Sequence, residues 1–553
     1  MIDTAVDDRP DSLVVTSIAT WEAAGGRTPD RSKPVGLWTR RLWLVAAATL
    51  VGWAFWRTGL GRKSLVNPRG WAQVRSFLAA SIHPDLSGAF LKIVVDATIA
   101  TIGYALLGSL LALAIGLFGG LFMSELWWRR SRHPSGRPRL VWFIIRSLAV
   151  VPRGIHEAVW ALSLVAILGR DPLVGVLAIG IPFGFITAKV VAEMIDESGV
   201  RPYNALRQAG SRRLPAFAYG VVPVVASDVV SYAFYRFECA IRSSVVLGVI
   251  GAGGLGFQFA VSFQAVRSRE IWTLIYTVIL LAAAIDWWGA RLRAAASRRR
   301  IVLSFVVALA LSIVSIVHLG VSFRRAASAR TQRLLARFLH ESWPPRLPLG
   351  GWHALQGAAL DTVQLSVVAI STAAVLAIPL GYLSSRRTTE SAGRRAVGWF
   401  TRLGLLFLRA IPPPIWALSF LFVMLPGPLP GGFALGCYTI GVLGRLNASV
   451  MENIDRRPGQ ALRRLGASRV AVLGYADAPL ALPRVVALSL YRWEVTIRET
   501  VIVGLVGAGG LGRLLGQQQA AFDRAGIVTT VAAMIVLSFF IDLMSSRLRR
   551  DLR

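Results

Sequence analysis

The 553-residue sequence predicts an all-α polytopic membrane protein of about twelve transmembrane helices, arranged as two parallel six-helix repeats. Three observations lead there: a composition too apolar for a soluble domain, a series of long apolar runs, and a block of sequence that occurs twice. Hydrophobic residues make up 54% and charged residues 16%, against roughly 25% charged in soluble domains. The same figures exclude a disordered or fibrous chain. Lys and Arg number 61 and Asp and Glu 29, for a net charge of +32. Nucleic-acid binders gather such charge on one face. Here the basic residues punctuate apolar runs instead, so no nucleic-acid partner is expected. Cys239 and Cys437 are the only cysteines, and both fall inside apolar segments. They form neither a disulfide framework nor a metal-ligand spacing, so no metal site is expected.

A spanning helix needs about 20 mostly apolar residues. Candidates run near 38–58, 91–122, 140–168, 172–195, 218–250, 270–290, 301–323, 358–385, 400–425, 429–452, 475–507 and 525–545. Several are longer than a straight crossing needs, which predicts tilts, kinks or re-entrant ends. Residues 1–37 are polar and lack a cleavable signal pattern, and they read as a disordered cytoplasmic tail. With that tail inside, the inner loops carry about twice as many Lys and Arg as the outer ones, which favours both termini in the cytoplasm. The outer loop 324–357 runs against the trend. It holds Arg324, Arg325, Arg330, Arg333, Arg337 and Arg346 and reads as an interfacial helix on the outer surface.

The repeat sets the domain organisation. Residues 201–256 align without a gap on 457–512, with 24 identities in 56 positions. Tyr235-Arg236-Phe237-Glu238 matches Tyr491-Arg492-Trp493-Glu494, and Ile241-Arg242 matches Ile497-Arg498. The same offset carries Arg146, Arg153 and Trp160 onto Arg402, Arg409 and Trp416. Further upstream the match weakens and the offset slips. The expected units are a first repeat over 38–300 and a second over 301–553. Six spans in each give both the same direction through the membrane, related by an axis along its normal. Equivalent loops then lie side by side, with a pathway between the halves.

Between the fourth and fifth spans of each half lies a short polar segment. The first copy runs from Arg201 through Asn204, Ala205 and Gly210 to Pro223; the second runs from Arg457 through Gln460, Ala461 and Gly466 to Pro479. Each reads as a short helix, a glycine that ends it and a proline that opens the next span. Two copies at matched spacing point to a docking element. The segment resembles the EAA loop of ABC-type importer permeases, with Asn204 and Gln460 standing where that pattern has Glu. The run from Arg236 or Arg492 to Ile-Arg, followed by Gly-Ala-Gly-Gly-Leu-Gly, is similar to phosphonate-type ABC permeases. The resemblance covers roughly 90–290 and 355–545, as if two permeases were fused in one chain. It implies a type I importer fold, and coupling helices that seat on two copies of a cytosolic ABC ATPase, where ATP and Mg would bind. It also implies an extracytoplasmic substrate-binding protein and a bacterial plasma (inner) membrane. No cofactor and no covalent chemistry are expected of this chain.

The glycine runs Gly251, Gly253, Gly254, Gly256 and Gly507, Gly509, Gly510, Gly512 fit the letters of a dinucleotide fingerprint. That motif needs a strand before it inside a βαβ unit, whereas these runs end membrane spans. A turn or close helix contact near an outer gate is the reading for them. No Gly-Lys pair occurs among the four lysines, so a Walker A loop is missing and energy must come from another chain or a gradient.

Charges inside spans carry the remaining signal, because a central Arg or Asp costs about 2.5–3.5 kcal/mol on insertion scales. Glu238 lies about 22 Å along its helix from Pro223, at mid-membrane depth. Glu238 with Arg242, and Glu494 with Arg498, are spaced to pair one turn apart, leaving Arg236 and Arg492 as uncompensated cations. These six read either as an ion-pair network stitching the halves, or as a positive potential in the pathway suited to phosphorus oxyanions. His156 beside Glu157 reads as a buried, hydrogen-bonded histidine. Pro412, Pro413 and Pro414 in the other half predict a kink. The function expected is a permease subunit of an ATP-driven importer for phosphonate, phosphate or phosphite, working by alternating access. A secondary transporter using Glu238 and Glu494 as proton or sodium carriers is the alternative, as is an ABC permease for methionine or another amino acid.

Overall fold

In hydrocarbon every backbone N–H must find its acceptor within the same segment, and long apolar runs therefore become helices. The computed structural model describes residues 37–59, 70–128, 137–169, 171–198, 201–294, 298–385 and 392–551. Apart from Leu37, the tail assigned to 1–37 lies outside them. Among the described residues the elements are helical throughout. The principal ones up to residue 319 are α1 (Leu37–Arg57), α2 (Gly70–Ala79), α3 (Gly88–Met123), α4 (Arg137–Leu148), α5 (Glu157–Leu168), α6 (Leu173–Glu197), α7 (Arg201–Gln208), α8 (Arg213–Gly220), α9 (Val222–Leu247), α10 (Gly254–Gln264), α11 (Ser268–Ala294) and α12 (Arg298–Leu319). The remainder are α13 (Ala329–Ser342), α14 (Gly351–Ser384), α15 (Ala392–Ala410), α16 (Pro413–Val423), α17 (Pro428–Glu452), α18 (Arg457–Arg464), α19 (Ala478–Val503), α20 (Gly510–Ala520) and α21 (Arg524–Asp551).

Among the described residues, seven helices are long and apolar enough to cross a membrane, or ten when each of three bent pairs counts as one span. The chain is a multi-pass membrane protein, but the expected twelve are not reached. The two missing candidates, 38–58 and 429–452, are helices in place, α1 and α17. Their arginines, glycines and polar residues dilute the apolar run below the threshold.

The central packing in each half is one long helix against another, α3 on α6 and α14 on α17. Between helices already dry in lipid, close van der Waals fit is the main attraction, and small residues permit it. A methyl group at Gly116 would lie 2.3 Å from Thr187, and one at Gly120 2.6 Å from Val191. Gly180 and Gly184 on α6 meet Leu111 and Ile115 in return. In the second half Gly432 receives Val368 and Gly381 receives Asn447.

Two helices cross the boundary drawn at residue 300. Helix α1 packs on α14 through an Arg57–Asp361 ion pair at 2.9 Å and a hydrogen bond from Gln364 to the Ala54 carbonyl at 3.2 Å. Helix α12 lies on α3, where Ser315 and Leu319 cover Gly103. The amphipathic helix expected in the outer loop is α13, which packs on α5 and α21.

Two spans are broken at equivalent places. The chain turns by 85° between Leu140–Gly154 and α5, and by 88° between α15 and α16. The prolines account for the second break. In the first, the His156 side chain caps α5 by accepting from the Ala158 N–H at 3.2 Å. Each break is stapled by an indole: Trp160 donates to the Pro152 carbonyl at 3.3 Å, and Trp416 to the Leu408 carbonyl at 3.2 Å. Replacing Gly116 by Val should lower the thermal midpoint of the detergent-solubilised protein, at a cost of roughly 1–3 kcal/mol from overpacking. Gly357→Ala, where no atom lies within 4 Å of the new methyl, should leave that midpoint unchanged or slightly raised.

Candidate coupling and translocation sites

Helices α7 and α18 are each eight residues long and mostly solvent-facing. Asn204, Ala205 and Gly210 in the first, and Gln460, Ala461 and Gly466 in the second, are all exposed. Both helices end the same way. Gly210 has φ of 84° and Gly466 of 83°, a left-handed backbone that favours glycine. The following N–H groups, of Ser211 and Ala467, reach back to Leu206 and Leu462 carbonyls at 3.0 Å. One position roots each helix. Tyr203 is buried among Leu126, Met194 and Val221; its counterpart Gly459 lets Val472 and Asp477 approach to 3.2–3.3 Å of where a side chain would begin.

The glycine runs form sharp turns. Gly251, Gly253 and Gly254 have φ of 112°, 96° and 72°, and Gly507, Gly509 and Gly510 have 105°, 95° and 71°. Neither Gly256 nor Gly512 can carry a side chain, since a methyl would meet the Val245 or Val501 carbonyl oxygen at 1.8 and 2.3 Å. The turn is tied down by a residue that sequence reasoning missed. Thr101 Oγ1 accepts from the Leu255 N–H at 2.9 Å, and Thr362 Oγ1 accepts from the Leu511 N–H at 2.8 Å. The two threonines sit five residues out of the 256-residue register, in the stretch where the offset slips.

The intramembrane charges are brought together unequally. Glu238 pairs with Arg242, as expected, and also lies 3.8 Å from Arg409 of the second half. Arg409 in turn binds Asp286, which Arg445 approaches at 3.9 Å. This layer joins α9 and α11 to α15 and α17. Around it lies a narrow cleft lined by Glu238, Arg242, Asp286 and Arg409. Arg242 also reaches the Tyr438 hydroxyl at 3.5 Å.

The second copy departs from expectation. Glu494 pairs with Arg549 at 2.9 Å, and Arg498 donates instead to the Glu494 carbonyl at 3.3 Å. Arg492, expected to lack a partner, pairs with Glu499 at 2.7 Å. The cause is local: Glu499 stands where the first half has Ser243, and Arg549 brings a guanidinium from α21. Arg236 does lack a carboxylate among the described residues, but its Nε donates to the Tyr232 hydroxyl at 2.9 Å and its plane stacks on Phe183 at 4.7 Å. Arg492 stacks likewise on Tyr438, at 5.2 Å. Tyr438 thus touches an arginine from each half, a role no motif signalled.

Residues 377–553 match the family described as the binding-protein-dependent transport system inner membrane component. The phosphate-import permease protein PhnE of Mycolicibacterium smegmatis is 28% identical over 71% of this chain and 75% of its own length. The phosphite transport system permease protein PtxC of Stutzerimonas stutzeri is 30% identical over 40% of this chain and 78% of its own. The chain belongs to this permease family. A putative cryptic phosphonate permease of Escherichia coli, PhnE2, is 33% identical over 21% of the permease and 96% of its own length.

In the permease the inter-half charge layer makes one measurable demand. Removing one partner of a buried pair costs about 3–5 kcal/mol, while replacing both by apolar residues is often neutral. Arg409→Met alone should therefore lower the thermal midpoint markedly, and adding Asp286→Leu should restore part of it. Equal losses in the single and double variants would show that the pair does not act as a unit.

Proposed function

We propose that the permease imports a phosphonate or a related phosphorus oxyanion, phosphate or phosphite, by alternating access driven by a separate ATPase. The observation that carries the ATP-driven part is the pair of exposed eight-residue helices, α7 and α18, each closed by a left-handed glycine. Two short helices standing out of the same chain suit two copies of one cytosolic ATPase. The substrate class is supported by the relatives, named for phosphate, phosphite and phosphonate, and by Arg236 and Arg498, which face no carboxylate within 4 Å among the described residues.

In this reading the halves 38–300 and 301–553 are parallel repeats, both termini and the two coupling helices are cytoplasmic, and the membrane is the bacterial inner one. The glycine turns at Gly251–Gly256 and Gly507–Gly512 lie toward the outer face, where an extracytoplasmic binding protein delivers substrate. ATP and Mg bind in the ATPase. Its closure draws α7 and α18 together, and because each is packed to the base of its half, the movement is carried into α9 and α19. Arg236, Glu238, Arg242, Arg492, Glu494 and Arg498 then line or brace the route between the halves. Both carboxylates, Glu238 and Glu494, are held by guanidinium groups, which suits bracing better than carrying protons.

The test uses the two capping glycines. A side chain at Gly210 or Gly466 would meet no atom within 4 Å, so its effect is confined to the backbone φ. Changing both to Val should abolish methylphosphonate uptake while the protein inserts in the membrane at normal level. Normal uptake by that double variant would remove the coupling role from these helices.

A further inference from the structure

The four repeated arginines, Arg236 and Arg242 of α9 and Arg492 and Arg498 of α19, differ in what remains free on them. Arg242 and Arg492 are matched to Glu238 and Glu499. Arg236 is held by Tyr232 and covered by Phe183. Arg498 keeps both terminal nitrogens without a carboxylate within 4 Å among the described residues, because Glu494, its expected partner, is taken by Arg549. An intramembrane guanidinium without a counter-charge is costly, and such a group calls for a ligand.

Its surroundings supply one. Arg498 lines a narrow cleft between the broken span of the first half and α19 and α21 of the second. His156, Val159, Val501 and Ser538 border it. The His156 Nδ1 accepts from the Ala158 N–H, which leaves the Nε2–H as the ring's donor. Glu157 beside it is occupied, accepting from the Ser243 hydroxyl at 2.7 Å and lying 3.3 Å from the imidazole. Arg153 lies within electrostatic range of Arg498, and Asp542 and Glu193 act on Arg153 in turn. The equivalent space in the other half is the cavity lined by Glu238, Arg242, Asp286 and Arg409. Each guanidinium there has a carboxylate partner, Arg242 and Arg409 on Glu238 and Arg409 and Arg445 on Asp286, and Pro412 replaces the histidine.

We propose that the permease holds its cargo on one side only: the Arg498–His156 cavity is a subsite for a phosphorus oxyanion, while its counterpart is a closed structural brace. This rests on the import reading above and adds where the anion is held. Arg498 offers two parallel N–H donors, the fork that fits a phosphoryl group, and His156 offers a third from across the boundary between halves. The asymmetry between Glu157 and Pro413, and between Ser243 and Glu499, follows from that division of labour.

The subsite can be tested on the full chain in lipid nanodiscs. With Cys239 and Cys437 changed to Ser, Ser538→Cys places a thiol on the cavity wall, and its rate of modification by a small thiol reagent is followed. Methylphosphonate or inorganic phosphate should slow labelling. Arg498→Gln should weaken that protection about tenfold, the size expected for a lost charged hydrogen bond. Arg498→Lys should fall between the two, and Arg330→Gln, on the exposed face of α13, should match the parent. Protection that survives Arg498→Gln, or no protection by either anion, would overturn the subsite. Protection by sulfate or acetate alone would overturn its phosphorus specificity. Methylphosphonate uptake, measured alongside in cells carrying the Ser538→Cys protein, separates the two claims: uptake without protection removes the subsite and leaves the import reading standing.

Discussion

The structure is governed by the cost of placing guanidinium and carboxylate groups in helices surrounded by lipid. Water cannot screen them there, so each must be matched within the protein or carry a task. Arg409 answers by reaching from the second half to Glu238 and Asp286 of the first, and this contact joins the halves. Remove it and Glu238 is left with Arg242 alone and Asp286 with the more distant Arg445. The glycine-lined helix pairs hold each half together, and the charge layer joins α1 and α12 in linking them.

Around that layer, backbone geometry is arranged by a few residues. Glycines at positive φ end the short exposed helices and shape the turns after α9 and α19. Threonines on the long central helices cap the segments that follow those turns. Movement at α7 or α18 therefore has a short route into α9 or α19, along segments whose direction is fixed by side chains rather than by loops. A proline break in one half and a histidine cap in the other give nearly the same angle. The fold tolerates different chemistry at one point provided the turn is preserved.

Much of this was legible in the sequence, and the reasons are physical. Apolar length specifies helices in lipid, so α3, α6, α14 and α21 could be placed from composition. The doubled block marked the exposed helices, because a short polar helix and its glycine cap are local features. The pairing of Glu238 with Arg242 was also local, one turn apart on one helix. Contacts between helices were hidden. Arg549 reaches Glu494 from a distant span, Arg409 reaches Asp286 across the halves, and Tyr438 sits under Arg492 without any motif around it. The 85° break at His156 was missed because capping by an imidazole leaves no mark as plain as proline. The span count fell short because α1 and α17 mix arginine, glycine and polar residues into their apolar runs.

Labelled phosphate uptake tests the proposed ATP-driven movement of a phosphorus oxyanion most directly. Cells with and without this chain would be compared after depleting ATP or collapsing the proton gradient, each with and without an alkylphosphonate competitor. The account predicts uptake that depends on this chain, disappears with ATP, survives loss of the gradient and is suppressed by the competitor. Uptake that persists without ATP and fails with the gradient would contradict it.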